Sequence, residues 1–94
     1  MSVARVATFD DPPDLREDDS RRTQTLHDLL RSLPGFEGAY YLREPSTGRL
    51  MSFTVWDSER SLEAAERAVD ERPVGDQRGI RPSRVERWTV EATF

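Results

Sequence analysis

Six side chains in the middle of the chain have the types and spacing for small-molecule chemistry: His27, Tyr40, Tyr41, Ser52, Thr54 and Trp56. His27 is the only histidine, and imidazole is the side chain whose ordinary pKa suits proton transfer near neutral pH. Trp56 can act as a flat wall on which an aromatic ligand stacks, or as a core tryptophan closing the end of a strand. A phenol (Tyr40, Tyr41) or an aliphatic hydroxyl (Ser52, Thr54) can donate a hydrogen bond to an oxygen on which charge develops. The set reads as His27, Trp56 and Tyr40 for catalysis, with Tyr41, Ser52 and Thr54 binding substrate. Other chemistries fit poorly. There is no cysteine, hence no disulfide, thiolate metal site or thiol nucleophile. One histidine with no motif placing a nucleophile beside it gives no Ser-His-Asp logic. The acidic run Asp10–Asp19 lacks the alternating ligand positions of a calcium loop, and Gly75-Asp76-Gln77-Arg78-Gly79 lacks the spacing of a phosphate loop. Neither a metal nor a cofactor is expected.

These residues must be positioned by regular elements. Val3 to Phe9 reads as a first strand, broken by Asp10-Asp11-Pro12-Pro13-Asp14. Acidic residues 14–19 suit the approach to a helix N-terminus. Leu26, Leu29, Leu30 and Leu33 then recur at helical spacing, and Pro34-Gly35 ends that helix. His27 stands about 100° round the helix from the centre of the leucine stripe, at its border. Phe36–Arg43 and Leu50–Trp56 flank a Pro- and Gly-containing turn and read as a hairpin. Ser58 is an N-cap with Glu59 in the first turn of a second helix, whose shallow apolar face is Leu62, Ala65 and Val69. Arg72-Pro73-Val74-Gly75 stops it, and Arg84–Thr93 is the last strand.

The order β-α-β-β-α-β, with right-handed crossovers, predicts an α+β ferredoxin-like fold: a four-stranded antiparallel sheet with both helices on one face. The two hairpin strands, expected at the centre, are apolar on both sides. Phe36, Tyr40 and Leu42 alternate with Ala39 and Tyr41, and Met51, Phe53 and Val55 alternate with Leu50 and Trp56. The helices cover one face, so a second subunit is expected on the other, as a homodimer through the sheet. The hairpin register has two solutions. If Arg43 pairs with Arg49, Trp56 shares its face with Gly38 and Tyr40; if Glu44 pairs with Arg49, with Ala39 and Tyr41. Ser52 and Thr54 accompany Trp56 in both.

Ninety-four residues make one domain, residues 1–94, with a modest core. Hydrophobic residues are 35% and charged residues 34% of the chain, a balance that favours sharing a core with a second copy. All 14 basic residues are arginine, and there is neither lysine nor asparagine. A net charge of −4 with interspersed signs argues against nucleic-acid binding. The late arginines Arg72, Arg78, Arg81, Arg84 and Arg87 alternate with acids and read as surface ion pairs. No apolar run has the length of a membrane span, and residues 1–5 lack a signal-peptide core; a soluble cytoplasmic protein with no membrane partner is expected.

The run Pro34-Gly35-Phe36-Glu37-Gly38-Ala39-Tyr40-Tyr41, with Ser52-Phe53-Thr54-Val55-Trp56-Asp57-Ser58 after one turn, resembles the antibiotic biosynthesis monooxygenase family across roughly residues 3–92. That resemblance implies a dimeric α/β barrel. It also implies a pocket between sheet and helices lined by the tryptophan at position 56, and cofactor-free oxygenation of a phenolic, aromatic or polycyclic substrate. Haem-degrading relatives use a histidine on the second helix and an asparagine on the first strand, and this sequence has neither. Two further readings stay open, a non-catalytic dimer that binds a small hydrophobic ligand or serves as a scaffold, and an acid–base isomerase or cyclase.

Overall fold

Strand alternation, leucine spacing and Pro/Gly punctuation divide the chain into six elements. The computed structural model describes residues 1–10, 17–71 and 82–94, for residues 17–23 the backbone alone. The elements are β1 (Val3–Phe9), α1 (Glu17–Ser32), β2 (Phe36–Arg43), β3 (Leu50–Trp56), α2 (Glu59–Asp70) and β4 (Arg84–Thr89). The Asp11–Asp14 breaker, the Arg72–Gly75 stop and the Gly75–Gly79 segment lie outside the described residues, as do Arg72, Arg78 and Arg81.

Local chemistry explains the boundaries. Ser58 has extended backbone and its side chain accepts from the Ser61 amide at 3.1 Å, an N-cap satisfying one of the free donors of α2. Between α1 and β2 the chain turns at Gly35, whose φ of +84° only glycine adopts readily. The Gly35 carbonyl accepts from the Asp57 amide at 2.9 Å, tying the start of β2 to the end of β3. In the hairpin turn the Glu44 carboxylate accepts from the amides and hydroxyls of Ser46 and Thr47, which holds its pKa at about 2.

All strand pairs are antiparallel and the order is β2-β3-β1-β4. Each βα-unit skips one strand, so β1 and β3 take the centre, while β2 of the hairpin lies at an edge rather than in the middle. The expected barrel is corrected here: the sheet is open, with β2 and β4 as separate edges that do not pair. Four strands leave too short a circumference to close around an interior, which takes about eight. β4 is also shorter than the expected 84–93, because Thr89 already pairs with Val3, the first residue of β1.

The hairpin register has Arg43 opposite Leu50 and Glu44 bonded to Arg49, so Ala39 and Tyr41 share a face with Thr54 and Ser52. A bulge interrupts it: Phe36 pairs with Trp56 and Gly38 with Val55, leaving Glu37 as the extra residue. Phe36 is thereby turned onto the Trp56 face, and away from Tyr40 with which simple alternation grouped it. The two rings meet edge to face, centroids 5.4 Å apart. The core lies between this face and the helices: Val3, Trp56, Leu62 and Ala65 are buried, and Leu30, Leu33 and Phe36 pack against them. The opposite face carries Ala4, Val6, Phe53, Tyr40, Leu42 and Trp88, and none of the described elements covers it.

Candidate functional site

A cavity of about 240 Å³ lies between the two helices and the sheet. The strands contribute Arg5, Thr54, Trp56 and Val85; α1 contributes Leu26 and Leu30; α2 contributes Leu62, Ala65, Glu66, Val69 and Asp70. The small Ala65 leaves room where a larger side chain on α2 would rest on the sheet. Trp56 is only 1% exposed, so it serves the core and walls the cavity at once. Its indole N–H donates to Thr54 Oγ1 at 3.0 Å, so this buried polar atom is satisfied by a neighbour on the same face of β3.

Charge enters the cavity wall through β1 and α2. Arg5 stands directly across the ladder from Thr54, and its Nε lies 3.8 Å from Glu66 Oε1. The other Glu66 oxygen accepts from Arg87 Nη2 at 3.0 Å, and Arg87 also reaches Glu63 at 3.5 Å. Glu66 is thus shared by two arginines, with Arg87 the closer. The Arg87 pairs, with Arg84–Glu86 at 3.1 Å, are the surface ion pairing expected of the late arginines that are described.

A second, more open cavity of about 400 Å³ lies on the outer side of α1 against β2. It is lined by Gln24, His27, Leu30, Arg31, Phe36, Ala39 and Tyr41. His27 and Tyr41 meet there with ring centroids 4.9 Å apart and planes tilted by 59°. Nε2 of His27 is buried without a hydrogen-bond partner among the described residues. Burial, with Arg31 nearby, lowers the His27 pKa against the weaker pull of Asp28, and burial raises that of Tyr41. Both rings are therefore neutral at pH 7. Because the folded-state pKa of His27 lies below its unfolded value, its contribution to stability is complete above about pH 6.5 and lost as pH falls through the folded value. His27→Gln should flatten that part of the stability-versus-pH curve, measured by urea denaturation between pH 7.5 and 5. An unchanged slope would show that His27 is not the titrating group.

The sequence-derived residues are thus distributed over four places. Trp56 and Thr54 line the inter-helix cavity. His27 and Tyr41 share the outer one, and Leu30 borders both. Ser52 is on the same sheet face, opposite Tyr41, and lines neither. Tyr40 projects from the uncovered face and is 68% exposed. Arg5 and Glu66 were not singled out from sequence, although Arg5, two residues after Val3 on a strand otherwise rich in small and apolar residues, is a charge on an inward-facing position. Among the described residues there is no group of three or more His, Cys, Asp or Glu able to hold a metal ion, and no helix long and apolar enough to cross a membrane.

No family profile matches the sequence, and no curated protein matches it. Solved structures do match along the whole chain. SnoaB, a cofactor-independent oxygenase from Streptomyces nogalater, superposes with a TM-score of 0.74 at 17% identity, covering 98% of this chain and 95% of its own. A heme-degrading protein from Mycobacterium tuberculosis gives 0.72 at 17% identity, covering 100% and 99%. A presumed antibiotic biosynthesis monooxygenase from Chloroflexus aurantiacus gives 0.71 at 14% identity, covering 100% and 97%. The chain therefore shares its fold with these three proteins; identities this low establish the fold alone.

Proposed function

We propose that the chain is a cofactor-independent monooxygenase-like protein that takes an aromatic or polycyclic phenol into the cavity between α1, α2 and the sheet. The observation that carries this is the cavity itself: an apolar space walled by Trp56, with a hydroxyl, a guanidinium and carboxylates at defined points. Such a protein needs to exclude water and favour the deprotonated substrate, because the substrate is its own reductant. In an anthrone, the enolate gives one electron to O2, the radical pair combines to a hydroperoxide at the ring CH2 carbon, and loss of water leaves a carbonyl. One oxygen atom enters product, the other leaves as water, and all four electrons come from the substrate and the O–O bond needs no outside donor. Thr54 and Arg5 are the groups placed to favour the enolate, with Glu66 as the nearby carboxylate.

Oxygen uptake by the metal-free protein with anthrones and hydroquinones tests this reading. Uptake above the uncatalysed rate that falls in Thr54→Val and Trp56→Phe supports it; uptake at background with folded protein overturns it. A second reading, a non-catalytic binder of a small hydrophobic ligand, is favoured by one observation. His27, the side chain best suited to move a proton, faces the outer cavity and not the one beside Trp56. Ligand-dependent quenching of Trp56 fluorescence without oxygen uptake distinguishes that case.

The proposal includes a homodimer through the uncovered sheet face. Tyr40, Leu42 and Trp88 are 68, 45 and 57% exposed there, around a half-buried centre of Met51, Phe53 and Val55. A patch of this kind is unusual on a monomer. A two-fold axis would also let Arg84 and Glu86 of the two copies answer each other at the rim. Wild-type protein should scatter light as a dimer at micromolar concentration, and Tyr40→Glu/Trp88→Glu as a monomer of unchanged circular dichroism. A monomeric wild type would remove this part of the proposal.

A further inference from the structure

We infer that the outer cavity, between α1 and β2, is a ligand site in its own right. It takes the anion of an aromatic carboxylic acid, with the ring between Phe36 and Tyr41 and the carboxylate at His27 and Arg31. Such a site requires neither a ligand beside Trp56 nor any consumption of oxygen there.

The walls of this cavity are rings. The bulge at Glu37 puts Phe36 on the same side of β2 as Ala39 and Tyr41, the side that faces α1. His27 stands on α1 against Tyr41, with ring centroids 4.9 Å apart. Ala39 is the one small residue between two aromatic neighbours on that side of the strand. Flat unsaturated molecules gain from edge and face contacts with such rings. Leu30 adds a purely apolar contact.

The polar groups suit an anion. Gln24, His27, Arg31 and Tyr41 are the polar members of the lining, and no carboxylate is among them. The acid nearby, Asp28, is already engaged: it accepts from Arg31 Nη2, and from Gln24 Nε2 at 3.1 Å. A guanidinium has five N–H donors. The pair with Asp28 therefore leaves Arg31 donors to spare, and among the described residues it has no second carboxylate. His27 Nε2 is a buried nitrogen without a partner, an arrangement that folded proteins rarely keep. A carboxylate oxygen beside it fixes the imidazole proton on Nε2 and accepts from it. Tyr41 stands against the imidazole from an edge strand and is 48% exposed, so an outward turn of its ring admits that oxygen.

The local field has the matching sign. Burial is the main influence on both rings; beyond it, Arg31 outweighs Asp28 at His27, and Arg5, from β1, favours negative charge at Tyr41. Among the described residues, the charged and titratable groups facing the imidazole are Arg31 and Asp28 on its own helix and Tyr41 on β2. A bound carboxylate adds a negative charge to this set and favours the imidazolium. The titration midpoint of His27 therefore rises on binding, and by linkage binding tightens as pH falls from about 7.5 to about 5.5.

The test is a titration with 2-naphthoate, and with 2-naphthamide as its uncharged counterpart, followed by NMR. His27 is the only histidine, so its imidazole signals report on the site directly. 2-Naphthoate should shift them, raise their pH midpoint and show nuclear Overhauser contacts to His27 and Tyr41. It should bind about tenfold more tightly than 2-naphthamide, the size of one hydrogen bond to a charged group. Arg31→Gln, a change at an exposed helix position, should erase that preference. Ala39→Leu, at an exposed strand position, should abolish binding by filling the space between the rings, with circular dichroism unchanged. Unmoved His27 signals, equal affinities for the two probes, an unchanged preference in Arg31→Gln, undiminished binding by folded Ala39→Leu, or Overhauser contacts confined to Leu62 and Ala65 would each overturn the inference. Absence of oxygen uptake with the phenol panel would remove the oxygenase reading and leave this site standing.

Discussion

Trp56→Ala is expected to lower folding stability by about 3–5 kcal/mol, the range for truncating a large buried aromatic. Trp56 is among the largest fully buried side chains, meets Phe36 edge to face at 5.4 Å and packs in one cluster with Val3, Leu62 and Ala65. A domain of this size has about 5–15 kcal/mol in total, so the alanine variant stands near the limit of folding. Loss of ligand binding in it would say little about stacking. Trp56→Phe separates the two roles. It keeps an aromatic wall, removes the N–H that holds Thr54, and should remain folded with a loss of about 1–2 kcal/mol. Urea denaturation of the pair checks the expectation. A shift below about 1 kcal/mol for the alanine variant would mean that the core is not organised around this residue.

Gly35→Ala is expected to cost about 2–4 kcal/mol, because two effects act at one atom. The φ of +84° is strained for any residue with a Cβ. A Cβ placed there would also collide with the Ser61 side chain and the Asp57 carboxylate, so the N-cap region of α2 would have to move. Since the Gly35 carbonyl holds the Asp57 amide, the substitution also loosens the crossing where α1 enters the sheet beside the end of β3. Gly38→Ala is the control: nothing lies within 4 Å of a Cβ at that position, and its denaturation midpoint should move by no more than about 0.5 kcal/mol. Equal effects at the two glycines would contradict this account.

The boundaries of β2, β3 and α2 and the end of α1 were legible because they are written in local chemistry, whereas the end of β4 is set by its pairing with β1. Pro34-Gly35 stops α1, Ser58 caps α2, and the hairpin strands end where the turn residues begin; β2 and β3 occupy the predicted ranges. Two features were not legible, for different reasons. The bulge at Glu37 is a two-against-one pairing that depends on the partner strand, so alternation along β2 alone placed Phe36 with Tyr40 instead of Trp56. A glycine at position 38, inside a strand, was the available hint. The division of the candidate residues between two cavities depends on where Leu30 sits once α1 has docked. His27 is one position along from Leu26 on that helix, and that step of about 100° carries it to the far side of the helix contact. Spacing along the chain could group His27 and Trp56 only by their chemistry. The open sheet, likewise, follows from the number of strands and not from their pattern.

The same open sheet has a colloidal consequence. Its two edge strands, β2 and β4, leave backbone donors and acceptors along each rim unpaired by another strand, a template on which further strands can add. The bulge at Glu37 and the side chains of Arg43, Arg84 and Arg87 are what interrupts those rims. Repulsion between whole molecules comes from a net charge of −4 at neutral pH and vanishes near the isoelectric point of about 5.0. The chain should therefore be least soluble near pH 5.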